Sequence, residues 1–166
     1  MTVISSFAPV SQPDAKILIL GSMPGVASLQ AQQYYAHPRN AFWSMILHVF
    51  KAEKDIPYEA RLQILHDHKI ALWDVLENCE REGSLDSAIR AEVPNDFQTF
   101  LSEHPSITHI FFNGKKARMA FDALVQPTLD LGEREFDFAT LPSTSPANAT
   151  HNFHAKLAIW RQIAQV

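Results

Sequence analysis

The chain has 166 residues, 46% of them hydrophobic, with 14 basic and 18 acidic side chains, a net charge of −4 and a pI near 6.0. That length suits one domain over residues 1–166 with a sizeable core. No apolar run approaches the roughly 18–20 residues that span a bilayer, and Met1–Val10 lacks the basic start and apolar stretch of a signal peptide. The expectation is a cytoplasmic monomer without membrane contact. Cys79 is the one cysteine, which excludes an intramolecular disulfide and argues against an iron–sulfur cluster. The acidic balance counts against coating nucleic acid by charge alone, although a local basic strip would serve a short footprint.

In chain order, Lys16–Leu20 reads as a buried strand stopped by Gly21, and a loop runs to about Arg39. Ala41–Phe50 has the spacing of a helix with Phe42, Met45, Ile46 and Val49 on one side. Pro57 suits the start of a second helix whose apolar stripe includes Leu62 and Leu65. Ile70–Leu76 is the second strand, followed by a polar loop with Gly83 and Ser84. Asn95 or Asp96 caps a helix running to His104, where Pro105 ends it. Ile107–Phe112 is a third strand, Lys115–Val125 a helix, Glu135–Leu141 a fourth strand, and Phe153–Ile163 the last helix. Strands alternating with helices imply parallel crossovers. The expected fold is therefore an α/β, three-layer α/β/α sandwich around a small, mainly parallel four-stranded sheet.

In such sheets ligands sit beyond the carboxyl ends of the strands. That rule selects four loops, Gly21–Arg39, Glu77–Asp86, Asn113–Lys116 and Pro142–Asn148. Gly21-Ser22-Met23-Pro24-Gly25 can turn tightly and bring its amides to a carbonyl or anion, but lacks the GxGxxG spacing and the Walker lysine. An ordinary turn explains it equally well. Tyr34-Tyr35 offers an aromatic surface of the kind on which bases stack, and Asn40 stands where it can simply cap the next helix. Phe42 and Trp43 fit core packing. Asn113-Gly114-Lys115-Lys116 offers amides and two cations to a phosphate, or is a solvated first turn. Leu141–Asn148 is a stiff loop whose Ser143, Thr144, Ser145 and Asn148 can hold a phosphate.

Taken together, Gly21–Gly25, then Tyr35-Ala36-His37-Pro38-Arg39-Asn40-Ala41-Phe42-Trp43, then Leu141-Pro142-Ser143-Thr144-Ser145-Pro146-Ala147-Asn148, resemble the uracil-DNA glycosylase superfamily. Trp73-Asp74 and Gly83-Ser84-Leu85-Asp86 add a resemblance to its hypoxanthine-DNA glycosylase branch, also called DNA-deoxyinosine glycosylase. The resemblance runs from about Ile17 to Trp160. It implies a monofunctional, cofactor-free enzyme that hydrolyses the N-glycosidic bond of a deaminated base in DNA, hypoxanthine first, uracil or xanthine as alternatives. Its partner would be DNA carrying that base.

By the same resemblance, Met23 stands where the mismatch-specific uracil glycosylases carry a water-positioning asparagine before the proline; the hypoxanthine branch also lacks it and uses the asparagine of the His-Pro-Arg-Asn run, which maps onto Asn40. Tyr35 is the stacking aromatic, and Ser22, Met23 and Asn113 contact the base. Gly25, Lys115, Ser143, Thr144, Ser145, Ala147 and Asn148 face the DNA. Ala147 stands near the position of the family's apolar wedge and is a poor one. Asp74, Ser84 and Asp86 are pocket candidates, with capping or bracing of a helix the alternative for Asp86.

The eight histidines include His66/His68 and His151/His154, but no HExxH or Cys/His set accompanies them, so no metal is expected. Cys79 has no partner at nucleophile spacing. Two other readings stay open on the residues alone. One is a small-molecule or nucleotide hydrolase on the same sandwich, and the other is a DNA-lesion binding module that does not cleave.

Overall fold

A computed structural model describes residues 2–148 and 151–166. The strands are β1 (Val3–Ser5), β2 (Ile17–Gly21), β3 (Ile70–Asp74), β4 (Leu76–Glu80), β5 (Arg90–Pro94), β6 (His109–Asn113) and β7 (Asp137–Leu141). The helices are α1 (Val26–Ala31), α2 (Phe42–Val49), α3 (Tyr58–Asp67), α4 (Phe97–Glu103), α5 (Lys115–Ala120) and α6 (Phe153–Trp160). A parallel sheet of order β3-β2-β6-β7 forms the centre. Strand alternation sorts its side chains into two cores. Leu18, Leu20, Ala71, Trp73, Ile110 and Phe112 pack with Phe97, Phe100 and Leu101 of α4 and Ala117 and Ala120 of α5. Ile17, Ile19, Ile70, Leu72 and Phe111 pack with Phe42, Trp43, Met45 and Ile46 of α2, Leu65 of α3 and Leu157 and Trp160 of α6. These two faces are the physical content of the three-layer sandwich.

Several elements differ from the reading of the sequence. A second, antiparallel sheet of order β1-β4-β5 stands beside the first. The stretch expected as one strand, Ile70–Leu76, is divided between the two sheets. Val75 N–H donates to Gly21 O at 2.8 Å and Leu76 N–H to Ser22 O at 3.2 Å, so the chain leaves the parallel sheet still tied to the loop after β2. Part of the expected loop Glu77–Asp86 is thereby the strand β4. Three further residues, Asp86–Ala88, form a short 3₁₀ turn. The loop after β2 contains α1, and the expected helix Lys115–Val125 widens after Ala120 into one π-type turn. Asp96, of the two cap candidates, caps α4: Thr99 N–H donates to its Oδ1 at 3.0 Å. Among the described residues no helix is long and apolar enough to cross a membrane.

Candidate functional site

Because β2, β3, β6 and β7 are parallel, their carboxyl ends open on one side of the sheet. A cavity of about 510 Å³ lies there. Its wall takes in Ser22, Met23, Gly25, Tyr35, Asn40, Asp74, Ser84, Asp86, Asn113, Ser143, Thr144, Ser145, Ala147 and Asn148. Every residue expected at the site is therefore on the wall, with the exception of Lys115. That lysine is exposed at the start of α5, outside the cavity. Its neighbour Lys116, expected as a second phosphate cation, is instead paired with Glu92 of β5.

The loop after β2 is held open by bonds to the Gly83–Asp86 segment. Ser22 Oγ donates to Asp86 Oδ1 at 2.6 Å, and Val26 N–H donates to Ser84 Oγ at 2.8 Å. Arg81, which the sequence did not single out, is buried between the two segments. Its guanidinium donates to Pro24 O at 2.6 Å and to Gly83 O at 2.8 Å. Asp86 thus braces Ser22, a role closer to its bracing alternative than to a free pocket carboxylate. The Met23 side chain is packed in the core at 7% exposure, so what it offers the cavity is backbone.

The two tyrosines do not form one surface. Tyr34 is buried and its hydroxyl donates to Ala8 O at 2.8 Å, with its ring tilted 42° from that of Tyr35. Tyr35 stacks on Phe42, centroids 4.1 Å apart, and stands between that residue and the cavity. Its φ of 53° is left-handed, a conformation that costs a non-glycine residue about 1–2 kcal/mol. Bonds on both sides enforce it. Tyr58 Oη accepts from Tyr34 N–H at 3.0 Å, Tyr34 O accepts from Trp43 Nε1–H at 2.8 Å, and Ser28 Oγ accepts from Ala36 N–H at 3.0 Å. Strain of this kind collects at functional sites.

Asn40 is not the cap expected of it: Ala41 is the N-cap of α2, and Asn40, one residue earlier, accepts with its Oδ1 from Phe42 N–H at 2.9 Å. A carbonyl oxygen has a second lone pair, so this bond leaves room for a water. Asn113 acts chiefly as a clamp. Its Oδ1 accepts from Thr144 N–H and its Nδ2 donates to Thr144 Oγ1, both at 2.9 Å. Gly114, at φ 95°, lets Ser143 pack against the same turn, since a Cβ there would meet Ser143 Cβ at 3.0 Å. Trp160 Nε1–H donates to Pro142 O at 2.9 Å, and the ammonium of the buried Lys156 donates to Asn148 O at 3.1 Å. Ala41 N–H donates to Thr144 O at 3.0 Å, tying this loop to the start of α2. Burial lowers the Lys156 pKa. Neither Lys156 nor Arg81 had a sequence signal, because nothing in a lone cation on a helix or after a strand tells which loop it will hold.

At the floor, Gly21 and Asp74 are paired neighbours across β2 and β3. A Cβ on Gly21 would sit 2.5 Å from Asp74 Oδ1 and 2.8 Å from Tyr35 Oη, so only glycine lets those two groups converge. Asp74 is 3% exposed, and burial, then the nearby Asp86, raise its pKa to about 7 against an opposing pull from Arg81. Burial and then Asp74 raise the Tyr35 pKa against an opposing pull from the nearby Asn113 side chain, so the phenol stays neutral. Among the described residues, Asp74 Oδ2 and Tyr35 Oη have no hydrogen-bond partner.

The model of the uracil DNA glycosylase superfamily matches residues 8–164. The hypoxanthine DNA glycosylase of Methanosarcina barkeri is 40% identical over 112 residues, 67% of this chain and 71% of that protein. The hypoxanthine DNA glycosylase of Methanosarcina acetivorans is 38% identical over 143 residues, 86% of each chain. The solution NMR structure of a candidate uracil DNA glycosylase from Methanosarcina acetivorans superposes with a TM-score of 0.80 at 34% identity, covering 98% of this chain and 99% of that one.

Proposed function

We propose that this chain, which belongs to the uracil DNA glycosylase superfamily and is a DNA glycosylase, releases hypoxanthine from DNA by hydrolysing the N-glycosidic bond of deoxyinosine. The observation that carries the reading is the cavity itself. Its size lies within the range of roughly 300–1,000 Å³ typical of small-molecule sites, and one wall is an aromatic ring backed by Phe42. A base taken out of the helix enters the cavity and lies against Tyr35, a stack worth about 1–3 kcal/mol. The backbone of Ser22 and Met23 donates to the carbonyl edge that deamination creates. Donors aimed at the leaving base stabilise the negative charge that builds there.

Asn40 uses its free lone pair to hold water near C1′. An amide is a poor base, so its contribution is positioning. The clamped loop Pro142–Asn148 grips the backbone through the Ser143 and Ser145 hydroxyls, while Lys115 and Gly25 lie along the flanking strand. Rigid anchoring by Asn113, Trp160 and Lys156 supports such a grip, because phosphate contacts position the duplex rather than read it.

The test is base release from oligonucleotides carrying a single hypoxanthine, uracil or xanthine, single- and double-stranded, with chelator present and alkali to reveal abasic sites. Release from hypoxanthine in chelator is the expected result. Release from uracil alone would overturn the base assignment. No release from any of the three by folded protein would overturn the reaction.

A further inference from the structure

The mechanism above leaves one buried group on the cavity wall unused. Of the two carboxyls there, Asp86 is engaged by Ser22 Oγ. Asp74 accepts neither from Arg81, whose Nη2 and Nε donate to Pro24 O and Gly83 O, nor from Tyr34, whose hydroxyl donates to Ala8 O. The Asp74 side chain ends β3 on the cavity floor, 3% exposed, with Oδ2 lacking a partner and Oδ1 over Gly21 beside the equally unpartnered Tyr35 hydroxyl. Two orphaned polar atoms converging at the bottom of a cavity need a ligand to complete them.

We propose that Asp74 is the catalytic acid of base release, giving its proton to a ring nitrogen of the purine as the glycosidic bond breaks. The inference rests on the glycosylase reading above. The C1′–N9 bond breaks and its electron pair goes to the base. The Asp74 proton goes to the base, which leaves neutral. The oxygen of water bonds to C1′, the surplus proton of that water passes to solvent, and the Asp74 carboxylate regains a proton from solvent when the base departs. The atoms then balance as deoxyinosine plus water giving hypoxanthine and an abasic site.

The surroundings favour the neutral acid that this step needs. Desolvation and the facing Asp86 charge resist ionisation of Asp74, Arg81 opposes them more weakly, and Tyr34 and Tyr35 remain neutral phenols. A purine gains more from protonation than a pyrimidine leaving as an anion, because its imidazole ring offers a nitrogen not involved in the glycosidic bond. Tyr35 Oη, next to Asp74, supplies a second hydrogen bond to the same edge.

The experiment is single-turnover release of hypoxanthine as a function of pH for the wild type and for Asp74→Asn. Binding of an oligonucleotide with the non-hydrolysable 2′-fluoro analogue of deoxyinosine is measured alongside. The wild-type rate is expected to be flat in acid and to fall about tenfold per pH step above the Asp74 pKa of about 7. Asp74→Asn is expected to be slower by about 10²-fold or more near pH 6, to lose the alkaline decline, and to bind the analogue within about threefold of wild type. An Asp74→Asn rate within about threefold of wild type would overturn the proposal. So would a wild-type rate that climbs through pH 7, since that profile would make the ionised carboxylate the active form. The wild-type profile stands even if the variant does not fold. Absence of base release by wild type at any lesion would instead remove the glycosylase reading, and Asp74's role with it.

Discussion

Asp74→Asn replaces a buried acid with a neutral group of the same shape, and its effect on stability follows from linkage. A free Asp titrates near 3.9, whereas burial and the Asp86 charge hold Asp74 at about 7 in the fold. Below about pH 4 both folded and unfolded chains keep the proton, so the residue does not bias folding. Between about pH 4 and pH 7 the unfolded chain releases it and the folded chain does not. The folded state then binds more protons, and stability falls by about 1.4 kcal/mol for each pH step. Above pH 7 the deficit is constant at roughly 4 kcal/mol. Asn titrates in neither state. The variant should therefore match wild type near pH 4 and exceed it near pH 8, by on the order of 10 °C in Tm for a chain of this size. Thermal melts of both proteins across that range read the difference directly. A gap that does not widen with pH, or one that widens in the opposite direction, would refute the assignment of a raised Asp74 pKa.

Other substitutions separate structure from chemistry in the same cavity. Asn40→Ser keeps a hydroxyl acceptor for Phe42 N–H and should melt near wild type, whereas Asn40→Ala loses that one bond, about 1 kcal/mol. Both should lower base release by about 10³-fold with lesion affinity little changed, and near-wild-type turnover by the serine variant would remove Asn40 from the mechanism. Gly21→Ala pushes a methyl to within 2.5 Å of Asp74 Oδ1 and 2.8 Å of Tyr35 Oη. It should cost about 1–3 kcal/mol in urea melts and close the floor to the base, seen as loss of turnover. Asn113→Ala removes both bonds to Thr144, about 2 kcal/mol together, and should speed amide exchange in Pro142–Asn148 while weakening DNA binding more than it slows the chemical step.

What the sequence revealed of this fold was set by the strength of local pattern. Ile17-Leu18-Ile19-Leu20 and Ile110-Phe111-Phe112 are buried on both faces, so they read as continuous apolar runs. The second sheet escaped because its strands lack that signature. In β5 the sequence Arg-Ala-Glu-Val-Pro is largely exposed, Ala91 adopts φ 51°, and the register against β4 shifts twice. No period-2 pattern survives such irregularity. The loops of the site were legible through their order at strand ends, yet the partners that fix them were not. Arg81, Lys156 and Trp160 act across 57, 8 and 18 residues, on backbone carbonyls that every sequence possesses. Tyr34 and Tyr35 are adjacent in the chain and diverge in space because of one left-handed residue.

A sequence optimised for stability alone would not leave the unpaired Asp74 carboxyl at 3% exposure beside a second carboxylate, with glycine as its only cushion. Several neighbours that could relieve it are committed elsewhere: Ser22 to Asp86, Asn113 to Thr144, and Nε and Nη2 of Arg81 to two backbone carbonyls. The same bonds shape the cavity, so its construction and the isolation of Asp74 have one cause. The substitution that should stabilise the protein most at neutral pH is then the one that should most impair proton delivery to the base. A structural acid would show the first effect without the second, and a catalytic acid must show both.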